Sequence, residues 1–232
     1  MITPSRQSHK IKVESVKVGS CEVEPSNKAR NLGATFDSNM TLQPHVNAIV
    51  KSCNYQLRRI GQLRKYLSPD ACEKLIHAFI TSRLDNGNSL LYGLPDYLTN
   101  KLQRIHNTAA RILTLSKKFD HITPTLRDLH WLPVKNRIIF KILLLTFRCL
   151  HGTAPAYLSG LLHPYLPVRS LRSSNSLLLK VQKTRTKSYG DRAFQNSAPK
   201  LWNSLPISIR QCETLTSFKS DLKNHLFKES YL

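Results

Sequence analysis

Residues 101–113, KLQRIHNTAARIL, and residues 140–147, FKILLLTF, belong to the stretch of the chain that decides its fold. Between Leu102 and Ile112 the apolar residues recur at steps of three and four. This spacing places them on one face of an α-helix, with polar and basic residues on the other faces. Pro or Gly separates the apolar units throughout residues 82–152. The stretch therefore predicts several amphipathic helices that pack on a shared core.

Helical spacing also extends to both sides of this stretch. From Thr41 onward, steps of four and three give one apolar stripe, which consists of Val46, Val50, Cys53, Leu57 and Ile60. Ser68 followed by Pro69 predicts the start of a second helix, because Ser is a good N-cap and Pro is favoured at the first helical position. Thr123–Pro124 predicts the cap of a short helix, and Thr214 predicts the cap of the last helix.

Two short parts of the chain have the alternating pattern of strands. Residues 11–24 alternate around Gly19–Ser20, which predicts a hairpin, and residues 31–36 predict a third strand. Residues 177–189 predict a further short β element. The expected fold is therefore mostly α: a helical bundle with a small N-terminal β-hairpin and a short β element near 177–189. We expect a hairpin unit at 1–38, a helical domain at 39–162, and a basic linker with a C-terminal helical region at 163–232.

The net charge is the most informative bulk property of the chain. Its 232 residues include 35 Lys and Arg against 14 Asp and Glu, which gives a formal charge of +21. Such an excess repels itself in a compact fold, so it indicates an anionic partner, of which nucleic acid is the commonest and an anionic membrane surface the next. Acids are absent between Asp128 and Asp191 and between Asp96 and Asp120, which indicates continuous basic surfaces.

Three predicted helices carry basic residues that recur on one helical face. The seven-residue steps on the first helix, and the 100° rotation per residue on the others, align these side chains. A helix with Lys or Arg every turn or two can follow a phosphate backbone. The predicted nucleic-acid-binding residues are Lys51, Arg58 and Lys65 on the helix that follows Thr41, Lys101, Arg104 and Arg111 on the helix that contains residues 101–113, and Arg137, Lys141 and Arg148 on the helix that contains residues 140–147.

The sequence offers little support for catalysis by this chain alone. Two-metal phosphoryl transfer needs clustered carboxylates, but the chain has no adjacent pair of Asp residues. A nuclease built from Asp96 and Asp221 remains a third hypothesis, although these residues are far apart in sequence. The five Cys residues form no C-x-x-C pair, and the N-terminus has no apolar signal core. The most apolar stretch, Ile138 to Leu150, is short for a membrane span and is interrupted by two basic residues. We therefore expect an intracellular protein of the nucleus or cytoplasm that is not secreted.

A set of short motifs resembles one family of proteins. The motifs are Ser82-Arg83-Leu84-Asp85, Asn88-Ser89-Leu90-Leu91-Tyr92-Gly93, Ala109-Ala110-Arg111-Ile112, Asp120-His121-Ile122-Thr123-Pro124, Leu129-His130-Trp131-Leu132-Pro133 and Leu201-Trp202-Asn203. Together they resemble the C-terminal, thumb and post-thumb region of the reverse transcriptase of non-LTR retrotransposons, of the LINE type and similar to jockey and CR1 elements. The resemblance covers roughly residues 30–230. Asn86-Gly87 departs from the aromatic residue and the cysteine usual in the family.

The resemblance implies a fragment of an RNA-directed DNA polymerase. In that family the palm carries the catalytic aspartates and would hold Mg²⁺, and this chain has no counterpart to those aspartates, so we expect no cofactor and no activity from it alone. The segment from Arg30 to Asp37 resembles the end of the palm. The expected partners are RNA, an RNA–DNA hybrid or DNA, bound through the backbone, together with an upstream palm domain. The alternative hypothesis is a domesticated basic helical adaptor that binds an acidic protein or a membrane surface.

Overall fold

The computed structural model of the protein describes residues 15–165, 177–186 and 189–232. Within these ranges the fold is mostly α-helical, as the sequence predicts. Four short strands precede the helices: β1 (Val16–Val18), β2 (Cys21–Val23), β3 (Lys28–Asn31) and β4 (Ala34–Asp37). The helices are α1 (Gln43–Leu63), α2 (Pro69–Ile76), α3 (Ser82–Asp85), α4 (Asp96–Thr114), α5 (Ile122–Asp128), α6 (Val134–Leu150), α7 (Ala156–Ser159), α8 (Phe194–Ser204), α9 (Ile207–Arg210) and α10 (Leu215–Tyr231).

The strands form two separate antiparallel hairpins. The first pairs β1 with β2 around Gly19, whose φ of +63° suits glycine, and residues 16–23 are exposed throughout. The third strand predicted at 31–36 is instead a second hairpin, because Leu32–Gly33 forms the turn between β3 and β4. The second hairpin is attached to α1, since the backbone N–H of Thr35 donates to Nδ1 of His45. The strand predicted at 11–14 lies outside the described residues.

The β element expected near 177–189 is reduced to one bridge. Residues 177–186 contain no strand, and an isolated antiparallel bridge joins Pro164 to Leu179. A side chain satisfies the backbone of Leu179 here in place of a neighbouring strand. The amide of Asn203 accepts from Leu179 N (2.9 Å) and donates to Leu179 O (2.8 Å). The linker predicted from residue 163 lies mostly outside the described residues.

One long helical segment runs from Pro69 to Asp85 through α2, a π-helical stretch at His77–Thr81, and α3. Ser68 caps it as predicted, because its hydroxyl accepts from the backbone N–H of Ala71. The π stretch shifts the face that each later residue presents. Phe79 is 41 % exposed, while the neighbouring Ile80 is fully buried.

The most apolar helix, α6, packs against α4, α8 and α10. Its buried face includes Ile138, Ile142 and Phe147, and the ring of Phe147 stacks on Phe218 of α10. A single cluster of buried apolar residues extends from Leu42 to Leu226, so the C-terminal helices share the core of α1, α4 and α6.

Two sequence signals near helix ends have a different outcome in the fold. The helix α8 continues through the buried Pro199, although a proline inside a helix removes one backbone hydrogen bond and usually kinks or ends it. The short helix α5 begins at Ile122, with His121 in the cap position, so Thr123 lies within the helix instead of capping it. Thr214 does cap α10, since its hydroxyl accepts from Ser217 N at 3.1 Å. In the described ranges no helix combines the length and the hydropathy needed to cross a bilayer.

Candidate nucleic-acid interface

The helices α1 and α4, which carry five of the nine predicted residues, pack side by side and run in the same direction. The hydroxyl of Tyr97 donates to Oε1 of Gln43 (3.2 Å), and Nζ of Lys101 donates to Oδ1 of Asn47 (3.0 Å). One turn along each helix therefore leads from the first contact to the second. The same order continues to the far end, where Gly61 lies against Ile112. Parallel packing brings the two basic stripes alongside each other over their whole length.

An arginine fixes the far end of this helix pair. The guanidinium of Arg64, at the end of α1, donates to the carbonyls of Ile112 (3.0 Å) and Leu113 (2.9 Å) in the last turn of α4. A third bond goes to the carbonyl of Leu67 (2.9 Å). Carbonyls in the last turn of a helix have no partner within the helix, so Arg64 satisfies groups that would otherwise need water. The spacing between the basic stripes is thereby held by the fold.

The stripe on α1 lies on the solvent side of the contact with α4. Asn47 and Gly61 face α4. At about 100° of rotation per residue, Lys51 lies about 40° from Asn47 around the helix axis, and Arg58 lies about 60° from Gly61. The buried Cys53, which points into the core, lies on the opposite side of that contact line. Lys51 and Arg58 are both exposed. They are seven residues apart, which is about 10 Å along the helix axis.

The basic stripe on α4 lies on the other side of the contact between α1 and α4. Lys101 contacts α1, and Arg104 lies about one turn further along α4. At about 100° per residue, Arg104 and Arg111 lie on the opposite side of the helix from the buried Leu102. Arg104 is exposed, and Arg111 is half-buried because its Nη2 donates to the carbonyl of Asp120 (3.1 Å). We call the solvent-facing surface between the two stripes the α1–α4 groove, bordered by Lys51, Arg58, Lys101, Arg104 and Arg111.

The α1–α4 groove is almost free of acidic residues. The helix α1 contains no Asp or Glu, and α4 contains only Asp96, its first residue. On the α4 side an open depression of about 730 Å³ is lined by Arg104, Arg111 and Lys118, with no carboxylate in its lining. The nearby carboxylate of Asp120 accepts from the backbone N–H of Lys117. Three of its cations, Lys51, Arg58 and Arg104, are exposed and have no carboxylate partner within the described residues, whereas Lys101 and Arg111 are half-buried.

Lys65 is placed differently from its prediction. It was expected on the same helix as Lys51 and Arg58, but α1 ends at Leu63 and Lys65 lies in the 3₁₀ turn at Arg64–Tyr66. The exposed ammonium group of Lys65 lies 4.8 Å from the centroid of the Tyr66 ring. It therefore remains a cation near the end of the groove, with an exposed aromatic ring beside it.

The third predicted set, on α6, is separate from the groove. Arg137 forms a bidentate ion pair with Asp85, with Nε 2.9 Å from Oδ1 and Nη2 bonded to Oδ2. Its side chain is only 21 % exposed. Lys141 and Arg148 are exposed. Arg137 and Lys141 line a cavity that includes no predicted residue of α1 or α4. The structure thus joins the α1 and α4 sets and leaves the α6 set on another surface.

A buried histidine lies next to this α6 region. His106, on the inner face of α4, is 1 % exposed, and neither ring nitrogen has a hydrogen-bond partner among the described residues. Its ring centroid is 5.1 Å from that of Trp131. Burial first, and then the guanidinium of Arg137, lower the pKa of His106 to about 3. The imidazole is therefore neutral throughout the physiological pH range.

Other basic residues of this region were not predicted as binding residues. Lys118 lies beside Arg104 and Arg111 in the lining of the depression, in the loop after α4. Arg59, on α1, lies 5.7 Å from the ring centroid of Tyr55 and donates to its hydroxyl. Lys118 and Arg59 each have a basic neighbour in the sequence, Lys117 and Arg58 respectively. Two adjacent basic residues indicate a basic surface, but they do not indicate which of the two side chains faces the groove.

The two acids of the nuclease hypothesis are placed apart. Asp96 begins α4 and lines a cavity with Asp191 and Lys135. Asp221 is exposed on α10, is not part of that lining, and has Oδ2 3.5 Å from the sulfur of Cys212. Within the described parts of the chain, no group of three or more His, Cys, Asp or Glu side chains is arranged to hold a metal ion.

The chain was compared with protein-family models, with curated proteins and with solved structures, and none of the three comparisons found a match.

Proposed function

We propose that this chain is a non-catalytic nucleic-acid-binding region of a LINE-type reverse transcriptase, which holds a template–primer duplex by its backbone in the α1–α4 groove. The observation that carries the proposal is the parallel pairing of α1 and α4. It sets two basic stripes on either side of one solvent-facing seam that contains almost no acid. A nucleic-acid backbone is the partner whose charge and repeat suit such a surface.

The chemistry of the groove favours backbone contacts over base readout. Lys51, Arg58 and Arg104 are exposed and form no side-chain hydrogen bond or ion pair within the described residues. Long cationic side chains on rigid helices can reach phosphate oxygens and release condensed counterions when they bind. Specific base readout usually needs a helix or strand within a groove of the duplex. A shallow seam between two helices offers no such projecting element.

The assignment to a reverse transcriptase depends on the resemblance of the sequence motifs. Under this proposal the parent polymerase would supply the palm, its catalytic aspartates and the Mg²⁺ that they hold, and it would act in the nucleus. The chain itself would contribute the grip on an RNA–DNA hybrid, which is the product of copying RNA. The segment from Arg30 to Asp37, which includes β4, would be the point of attachment to that palm.

The test is fluorescence anisotropy of a labelled RNA–DNA hybrid titrated with the purified chain at about 0.1 M salt. A groove variant carries Lys51→Gln, Arg58→Gln and Arg104→Gln. Because these residues have no structural partners, the variant should fold normally, as circular dichroism can verify. We expect submicromolar binding by the unmodified chain and a loss of about tenfold to a hundredfold in the groove variant, since up to three phosphate contacts are removed.

A matched control variant removes the same number and types of charge elsewhere. It carries Arg30→Gln, Arg185→Gln and Lys219→Gln, all at exposed positions outside the groove and none among the nine predicted binding residues. Equal losses in the two variants would contradict the proposal, because they would show that only total charge matters. Competition by heparin as effective as competition by structured RNA, or binding to anionic vesicles in preference to the hybrid, would favour the adaptor hypothesis instead.

A further inference from the structure

A separate cavity of about 460 Å³ lies between the π-helical stretch, the loop before α6, and the helices α6 and α10. Its volume is within the range of small-molecule sites, which is about 300–1,000 Å³. It shares no lining residue with the open depression on α4. Its position beside a π-helical segment is notable because such segments are frequent at functional sites.

Aromatic rings form one wall of the cavity. Trp131 lines it and is 6 % exposed, and its ring centroid lies 5.7 Å from that of His77 and 5.1 Å from that of His106. The backbone of Trp131 is also fixed, since its N–H donates to Leu126 O (2.9 Å) and its carbonyl accepts from the hydroxyl of Tyr231 (2.6 Å). This wall is rigid, so a planar ring can pack against its exposed part without further ordering of the protein.

One buried polar atom in the lining lacks a partner. Asn88 is 3 % exposed, and its Oδ1 has no hydrogen-bond partner among the described residues. The orientation of the amide is set by its other end, because Nδ2 donates to Oδ1 of Asp85 (3.3 Å) and a carboxylate can only accept. Asp85 is in turn held by Arg137. Because Oδ1 is covered in this structure, an N–H donor such as the edge of a nucleobase presents would satisfy it once a small shift of the lining uncovers the atom.

The charges around the cavity leave two cations without partners. The two acids in the lining are already engaged: Asp85 by Arg137, and Glu73 by His77, whose Nε2 lies 3.4 Å from Oε1. Lys141 and Lys223 also line the cavity, on α6 and α10, and neither forms a hydrogen bond or ion pair within the described residues. An anionic group on the ligand would be stabilised by these two ammonium groups.

We propose that this cavity binds one nucleotide, with the base against the Trp131–His77 wall and hydrogen-bonded to Asn88, and with the phosphate held by Lys141 and Lys223. The nucleotide is either a free nucleoside 5′-monophosphate or an unpaired nucleotide of a strand. The inference does not depend on the proposed function, because the free ligand binds without the α1–α4 groove.

The test is isothermal titration of the full chain with the four nucleoside 5′-monophosphates, with nucleosides and with inorganic phosphate. We expect monophosphates to bind at least tenfold more tightly than either fragment, because both halves of the cavity are then used. Lys141→Gln combined with Lys223→Gln should weaken monophosphate binding about tenfold or more and leave the much weaker nucleoside binding unchanged. The matched control, Lys135→Gln with Lys219→Gln, changes lysines on the same two helices that do not line the cavity and should have little effect.

Two further arms separate the sources of the ligand. A hairpin duplex with one unpaired 3′ nucleotide should bind more tightly than its blunt counterpart if the nucleotide belongs to a strand, and no difference would assign the cavity to the free monophosphate. The groove variant should lose duplex affinity but retain monophosphate binding, so the two proposals can fail independently. Absence of monophosphate binding, binding of phosphate alone with equal affinity, or equal losses in the two lysine variants would overturn the inference.

Discussion

The buried His106 predicts a stability that falls steeply in mild acid. The unfolded chain takes up a proton at this histidine near pH 6.5, whereas the folded state keeps it neutral down to a pKa of about 3. Below pH 6.5 the unfolded state therefore binds more protons, so the free energy of unfolding decreases as the pH falls. Between pH 6.5 and pH 4.5 the difference is two pH units, which corresponds to about 3 kcal/mol.

The assay is urea unfolding at pH 7.0 and at pH 4.5, followed by circular dichroism, for the unmodified chain and for His106→Leu. The variant removes the titrating ring, and it also removes two buried nitrogens without partners, so its stability at pH 7.0 should be unchanged or higher. Its loss of stability between the two pH values should be smaller by about 3 kcal/mol. The exposed His121, changed to Gln, is the matched control. Equal losses in the unmodified chain and in His106→Leu would refute the reasoning.

Two other substitutions test the surroundings of the sites. Arg137→Gln leaves Asp85 without its partner, and since the two side chains are 21 % and 39 % exposed we expect a cost of about 1–3 kcal/mol, below that of a fully buried pair. A double-mutant cycle with Asp85→Asn should show strong coupling, and additive effects would contradict the pairing. Gly93→Ala should cost about 1–3 kcal/mol, because φ is +66° and the new Cβ would lie 2.6 Å from Cγ of Arg192. A thermal midpoint equal to that of the unmodified chain would contradict both the backbone strain and the close contact with Arg192.

The parts of the fold that depend on local pattern could be predicted from the sequence. The apolar stripe Val46–Cys53–Leu57–Ile60 gave the position of α1, and the caps at Ser68 and Thr214 are present as hydrogen bonds. Each of these features requires only neighbouring residues, because propensity, capping and amphipathicity act within a few turns.

The parts that were not predicted depend on contacts distant in sequence. Arg137 meets Asp85 across 52 residues, so its basic stripe could not be recognised as partly neutralised. The bonds from Arg64 to the end of α4 span 48 and 49 residues. No local pattern in the sequence marks the π-helical stretch at His77–Thr81. The sequence likewise contains no indication that α1 and α4 run parallel.

The candidate site depends on the parallel arrangement of α1 and α4. The predicted residues of α1 and α4 were aligned within each helix from the sequence, but their assembly into one groove follows from the contacts of Lys101 with Asn47 and Tyr97 with Gln43. Helical periodicity fixes the direction of a side chain relative to its own helix only. The relation between two helices is a property of the packed core.

The most direct test of the central claim is the salt dependence of hybrid binding. The slope of log K against log salt is about −0.9 for each phosphate contact of a duplex, so four to six cations in and beside the α1–α4 groove predict about −4 to −5. The groove variant should reduce the steepness by about 3, whereas the control variant should leave it nearly unchanged. A slope near zero for the unmodified chain, or the same slope in the groove variant, would contradict a backbone grip by the α1–α4 groove.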